Sequence, residues 1–147
     1  MEIENKFLFR VTGKPLHLFG GDVLAWERFI WVKENLPKSK NKKLLDVGCG
    51  KGSFSMYASG KGYSSLGLTW DKKDCDEAVT SAKKLNLKKC EFEQQDVRYL
   101  DGRTDLFNKF DVVLCTENIE HILDDKKLMN SMYSCLKKGG IFLKRSA

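Results

Sequence analysis

Hydrophobic positions along this chain change their period several times, and each change marks an element. Val23, Trp26, Phe29, Ile30 and Leu36 recur at helical spacing. A helix is therefore predicted from Val23 to Leu36, capped by Asp22 after Gly20-Gly21 and stopped by Pro37. From Lys43 onward, short apolar runs alternate with amphipathic stretches. Leu44–Val47, Ser64–Thr69, Lys89–Glu93, Phe110–Cys115 and Ile141–Lys144 read as strands, with Lys138-Gly139-Gly140 turning the chain into the last of them. Ser53–Gly60, residues 72–85 and a stretch capped by Asp124 or Asp125 read as helices. Cys75, Ala78, Val79, Ala82 and Leu85 form the inner stripe of the second of these. Leu128, Met129, Met132, Tyr133 and Leu136 form that of the third. Phe110–Cys115 is apolar almost throughout, as a strand covered on both faces requires. Strands and helices in this alternation predict an α/β fold, a doubly wound, mostly parallel sheet with right-handed crossovers. Ahead of it, Phe7–Val11 suits a short strand and Thr12-Gly13-Lys14-Pro15 a turn.

The junction after the first sheet strand carries the chemistry. Leu44-Leu45-Asp46-Val47 runs straight into Gly48-Cys49-Gly50-Lys51-Gly52. Alternate glycines let the backbone turn tightly and pass close to a ligand. The helix that follows points free N–H groups at whatever sits there. The dinucleotide fingerprint needs a third glycine at the position of Ser53, which this chain lacks. Asp46-Val47-Gly48-Cys49-Gly50-Lys51-Gly52 instead resembles motif I of the class I S-adenosylmethionine-dependent methyltransferases. The resemblance extends from about residue 43 to residue 144.

That resemblance implies S-adenosyl-L-methionine as cofactor, with Asp46, Gly48, Cys49, Gly50 and Gly52 around its amino-acid end. At the end of the second strand the family usually places an acidic residue against the ribose. This chain has Thr69, as in the cyclopropane-fatty-acid-synthase branch. Trp70 either stacks on adenine or packs in the core, and Asp71 either reaches the ribose or caps the next helix. After the third strand, Asp96 matches the aspartate that takes the adenine amine, with Val97 beside the ring; the alternative is a turn aspartate bonding its own backbone. After the fourth strand, Glu117-Asn118-Ile119-Glu120-His121 resembles the family's E-x-x-E-H stretch. It implies Glu117 against the cofactor and Glu120 and His121 at the acceptor, with His121 as base. Bracing of the following helix is the other reading of Glu120 and His121. His17 reads as a surface or packing residue. The implied reaction is direct in-line transfer of a methyl group to a small-molecule acceptor, which needs no metal.

Length and composition fit these expectations. The chain has 147 residues, sized for one domain, with 41% hydrophobic and 31% charged residues. No apolar run approaches the roughly 20 residues that cross a bilayer, and the start lacks a signal-peptide pattern, so a cytoplasmic protein is expected. The five cysteines form no metal-binding spacing and read as reduced core thiols. The net charge of +6 admits a nucleic-acid partner. The densest basic run, Lys38-Ser39-Lys40-Asn41-Lys42-Lys43, reads rather as a solvated linker. Residues 1–42 are expected as an N-terminal lid segment, with Trp26 and Trp31 over the acceptor. Residues 43–147 are expected as the cofactor-binding core. The family's sheet usually continues past the fifth strand, so the chain reads as truncated there. A partner chain or dimer would then cover the open edge. Two other readings stand beside the enzyme: a non-catalytic cofactor-binding fragment or partner subunit, and an RNA-directed methyltransferase.

Overall fold

A computed structural model describes residues 23–116 and 124–145 of the chain, with side chains from Glu27 onward. The expected strand Phe7–Val11, the turn after it, the Gly20-Gly21-Asp22 joint and His17 lie outside these residues. The elements follow the order α1 (Val23–Asn35), β1 (Lys43–Val47), α2 (Ser53–Gly60), β2 (Ser64–Thr69), α3 (Lys72–Lys84), β3 (Cys90–Gln94), β4 (Phe110–Cys115), α4 (Asp125–Cys135) and β5 (Leu136–Lys144). Two short 3₁₀ turns, Val97–Gly102 and Thr104–Leu106, link β3 to β4. The five strands form one sheet in the order β3-β2-β1-β4-β5. Every pairing is parallel. The expected doubly wound sheet is therefore present, and its strand order reverses between β1 and β4, where such sheets bind ligands.

The period of two along each strand divides the core. Leu44, Val112 and Leu114 point to one face, where Phe29 and Val32 of α1, Leu36 just after it, and Tyr57 and Ala58 of α2 cover them. Leu45, Val113 and Cys115 point to the other, against Leu128, Met132 and Cys135 of α4. Helix α1 is thus anchored to the sheet by its second half, and Trp31 packs partly buried at the same cluster. Arg145, at the end of β5, donates to the Glu27 carbonyl at 2.7 Å. Over these residues the helix expected within a lid packs on the sheet.

Three local expectations are corrected. Tyr133 is exposed, while Leu128, Ser131, Met132 and Cys135 face inward. Positions i, i+3, i+4 and i+7 set this face; Ser131 tolerates it because its hydroxyl donates to the Lys127 carbonyl at 2.9 Å. Helix α4 ends at Cys135, and Leu136 already pairs with Phe110 before the register shifts to Ile141 opposite Val112. The expected turn at Lys138-Gly139-Gly140 is an irregularity inside β5, with Gly139 at φ 80°. Strand β3 starts at Cys90 rather than Lys89.

The bottom edge of the sheet is tied by charge. The Asp111 carboxylate accepts from the Lys43 amide at 2.9 Å. It also pairs with the Lys137 ammonium at 3.3 Å. The Lys43 hydrogen bond first, and Lys137 second, hold its carboxyl below the usual carboxylate range. A carboxyl depressed on folding stabilises the folded chain above its unfolded value near 3.9, and that contribution vanishes as pH falls through the lower folded value. Asp111→Asn is expected to cost about 1 kcal/mol at neutral pH and to flatten the acid limb. Urea denaturation between pH 3 and 7 measures both; a variant as acid-sensitive as the parent would refute the assignment.

Candidate functional site

Strand β1 delivers a loop of left-handed glycines to the carboxyl edge of the sheet. Gly48, Gly50 and Gly52 have φ of 75°, 54° and 82°, a region that side chains with a Cβ rarely enter. The glycines do different work. A Cβ on Gly50 would stand in open space, with nothing within 4 Å. A Cβ on Gly52 would lie 2.4 Å from Phe92 Cε1. Gly50 thus leaves room on the open side of the loop, and Gly52 makes room for the ring of β3. Gly52 is also the N-cap of α2 and supplies no side-chain cap, so the first turn of the helix offers its N–H groups to a ligand.

The loop is fixed from beneath. Asp46 is fully buried and accepts from Ser55 Oγ of α2 at 2.7 Å. The structure therefore places Asp46 under the loop, joining β1 to α2, rather than on the loop's open surface. The Cys49 amide donates to the Leu68 carbonyl at 2.8 Å, carrying the β1–β2 ladder into the turn. Burial, and then the Asp46 carboxylate, raise the Cys49 thiol far above its ordinary value. This environment disfavours the thiolate that a nucleophile requires. Burial likewise raises Cys90 to about 12 and Cys135 to about 11. All five cysteines are free; Cys75, Cys90, Cys115 and Cys135 are buried, as expected for core residues, and Cys49 is half-buried.

The ends of β2 and β3 form a second shelf beside the loop. Thr69 is buried at the last position of β2, and its carbonyl accepts from the Gln95 amide at 2.8 Å. Gln94 Nε2 donates to the Trp70 carbonyl at 3.1 Å. These bonds bring Thr69, Trp70 and Asp96 to one edge. Trp70 is 72% exposed, which removes the core-packing reading of its indole. Asp71 accepts from the amides of Lys73 and Asp74 and so caps α3. Asp96 caps the first 3₁₀ turn through the Arg98 amide and forms a bidentate pair with the Arg98 guanidinium. That is the turn geometry given as its alternative; its position at the shelf also leaves it within the candidate site. The Arg98 pair lowers its carboxyl below the usual range. Val97 packs partly buried against the core below.

Residues 38–147 match a family model described as a methyltransferase domain. The chain belongs to the S-adenosylmethionine-dependent methyltransferase family. A ubiquinone biosynthesis O-methyltransferase of Pelagibacter ubique is 34% identical over 138 residues, covering 87% of this chain and 53% of the relative. The chain spans about half the length of the curated relatives it matches. Among solved structures, phosphoethanolamine N-methyltransferase 2 of Haemonchus contortus, in complex with S-adenosyl-L-methionine, superposes with a TM-score of 0.69 at 24% identity, covering 81% of this chain and 27% of that one. A methyltransferase of Methanococcus maripaludis gives 0.65 at 19% identity, covering 84% and 54%. These likenesses bear out the fold.

In this chain, two observations fit the cofactor of the family: the open space over Gly50 and the uncapped start of α2. Glu117, Glu120 and His121 fall within residues 117–123, outside the described residues. Among the described residues, no cluster of three or more potential ligands could hold a metal ion. None of their helices is long and apolar enough to cross a membrane.

Three further residues shape the site. Gly67, opposite Asp46 in the ladder, leaves room for Cys49 Sγ and Phe92; a Cβ there would lie 2.8 Å and 2.6 Å from them. An isolated glycine inside a strand signals such close approach. Ser55 braces Asp46. Arg103 clamps the loop that carries Asp96, reaching Glu93 at 2.8 Å, Asp105 at 2.9 Å and Gln95 at 3.1 Å. No motif in the sequence points to Arg103, because its partners come from separate turns.

Proposed function

We propose that this chain binds S-adenosylmethionine across the carboxyl edges of β1, β2 and β3 and transfers its methyl group to an oxygen of a small-molecule acceptor. The observation that carries this reading is Gly50, left-handed and facing open space beside an uncapped helix start. The Gly48–Gly52 loop and the first turn of α2 take the amino-acid end of the cofactor. Thr69 and Asp96 hold the nucleoside, and Trp70 forms a wall for it. The bound cofactor supplies a methyl group already activated on a sulfonium. The protein contributes alignment, the main requirement for an in-line displacement. Glu117 lies against the cofactor, and Glu120 lines the acceptor pocket. His121 takes the proton that the acceptor oxygen releases as its new C–O bond forms. The O-methyltransferase relative of Pelagibacter ubique supports an oxygen acceptor.

Residues 43–147 form the cofactor-binding core in this proposal, with α1 packed over one face of its sheet. A partner chain or second copy covers β5, which has a neighbour on one side among the described strands. The cytoplasm is the matching compartment for five reduced thiols. Calorimetric titration with S-adenosylmethionine and S-adenosylhomocysteine is the test. Dissociation constants of about 10 μM or below are expected, near −7 kcal/mol. Absence of binding by both at roughly tenfold higher concentration would end the proposal.

A further inference from the structure

The amino edge of the sheet, opposite the candidate site, carries two adjoining clefts. One, of about 600 Å³, is lined by Lys33, Lys38, Lys40 and Lys61 beside Tyr57. The other, of about 430 Å³, shares Lys40 and Lys61 and continues to Lys88 and Lys89. No carboxylate is among the described residues that line either cleft. The topology creates this concentration. Lys61 precedes β2 and Lys88 and Lys89 precede β3, on neighbouring strands about 4.8 Å apart.

The linker that bears Lys38 and Lys40 is held in place. The buried Tyr63 hydroxyl donates to the Pro37 carbonyl. The Asn41 amide donates to the Gly62 carbonyl at 3.2 Å. A Cβ on Gly62 would lie 3.4 Å from the Ser39 carbonyl oxygen, so glycine lets the turn pack against the linker. The lysines of the linker are exposed, as expected, and Lys38 and Lys40 also form one wall of the groove. Among the described residues, no carboxylate pairs with Lys38, Lys40, Lys88 or Lys89. Lysines near helix ends also complement the dipoles of α2 and α3. That role accounts for Lys61 at the C-cap of α2, which also lies 5.5 Å from the Tyr57 ring, and for Lys83 in the last turn of α3, and leaves the lysines of the linker and of the β3 start without one.

We propose that this groove binds the sugar–phosphate backbone of single-stranded RNA. A chain with one charge per nucleotide can lie along two successive clefts, whereas a bilayer surface is flat and cannot enter them. The lining offers ammonium groups and no exposed aromatic ring, so contact is to phosphate and independent of sequence. The RNA is held at the edge opposite the methyl-transfer site and is not the methyl acceptor there.

Fluorescence anisotropy of a labelled 20-nucleotide oligouridylate, titrated with the full chain from 50 to 300 mM KCl, tests this. Affinity is expected to fall with salt with a slope of about −3 to −3.5, from four or five phosphate contacts at about 0.7 each. The variant Lys38→Gln/Lys40→Gln/Lys88→Gln/Lys89→Gln is expected to lose at least roughly tenfold in affinity at 50 mM and about 3 in slope. The corresponding arginine variant is expected to bind like the parent. S-adenosylhomocysteine affinity is expected to be the same with and without saturating RNA, which separates this proposal from the one above. No RNA binding at 50 mM, an unaffected glutamine variant, competition between RNA and S-adenosylhomocysteine, or binding to phosphatidylserine vesicles in place of RNA would each overturn it.

Discussion

Replacing Gly50 by aspartate is expected to weaken S-adenosylhomocysteine binding at least about 100-fold, close to 3 kcal/mol, while the chain stays folded. The separation of the two effects follows from geometry. The new Cβ would meet no protein atom within 4 Å, so the folded chain gains no clash. Its backbone would stay at φ 54°, a region that aspartate tolerates better than most residues, at a cost of about 1 kcal/mol. The carboxylate, however, would enter the space beside the start of α2. There it would occupy the ligand's volume and compete for the same free N–H groups. Calorimetry reads the affinity and thermal unfolding reads the fold. Parent-like affinity in a folded Gly50→Asp chain would remove the loop from the binding site.

Gly52→Ala, two residues on, is expected to do the opposite and damage the fold first. Its Cβ would stand 2.4 Å and 2.5 Å from Phe92 Cε1 and Cζ, and 3.2 Å from Ala78 Cβ of α3. Holding alanine at φ 82° adds a backbone penalty. Overpacking and strain together amount to about 3 kcal/mol, or roughly 10 °C in Tm for a domain of this size. Phe92→Leu removes the two ring atoms in conflict. In that background Gly52→Ala is expected to cost at least about 1 kcal/mol less, a coupling that a double-mutant cycle measures. Strict additivity would show that the two residues do not meet.

The order of elements was legible because period and length are local properties. Every strand and helix expected from residue 23 to residue 144 is present, with bounds shifted by a residue or two except at β5. The start of β5 was not legible, since Leu136 is drawn into the ladder by Phe110, twenty-six residues earlier. Tyr133 was misassigned because hydrophobicity was allowed to set the helix phase; the phase admits Ser131, whose hydroxyl is satisfied within its own helix. The glycine motif was visible at once, but the division of labour within it depends on Phe92, forty residues beyond Gly52. For the same reason a linear reading saw six residues of linker at Lys38–Lys43, and the fold adds the lysines at the start of β3. Asp96 is the residue where sequence and geometry meet least directly, since Arg98 engages both of its oxygens.

The hydrogen bonds from Cys49 to Leu68 and from Gln95 to Thr69 extend the sheet's own ladder past the ends of β1 and β3. The floor on which a nucleoside would rest is thus continuous with the hydrogen-bonded central strands. Its shape is set when the chain folds, before any ligand arrives, so association there requires little further loss of backbone freedom. A change that loosens the central strands would consequently be felt as weaker binding even where it touches no atom of the ligand.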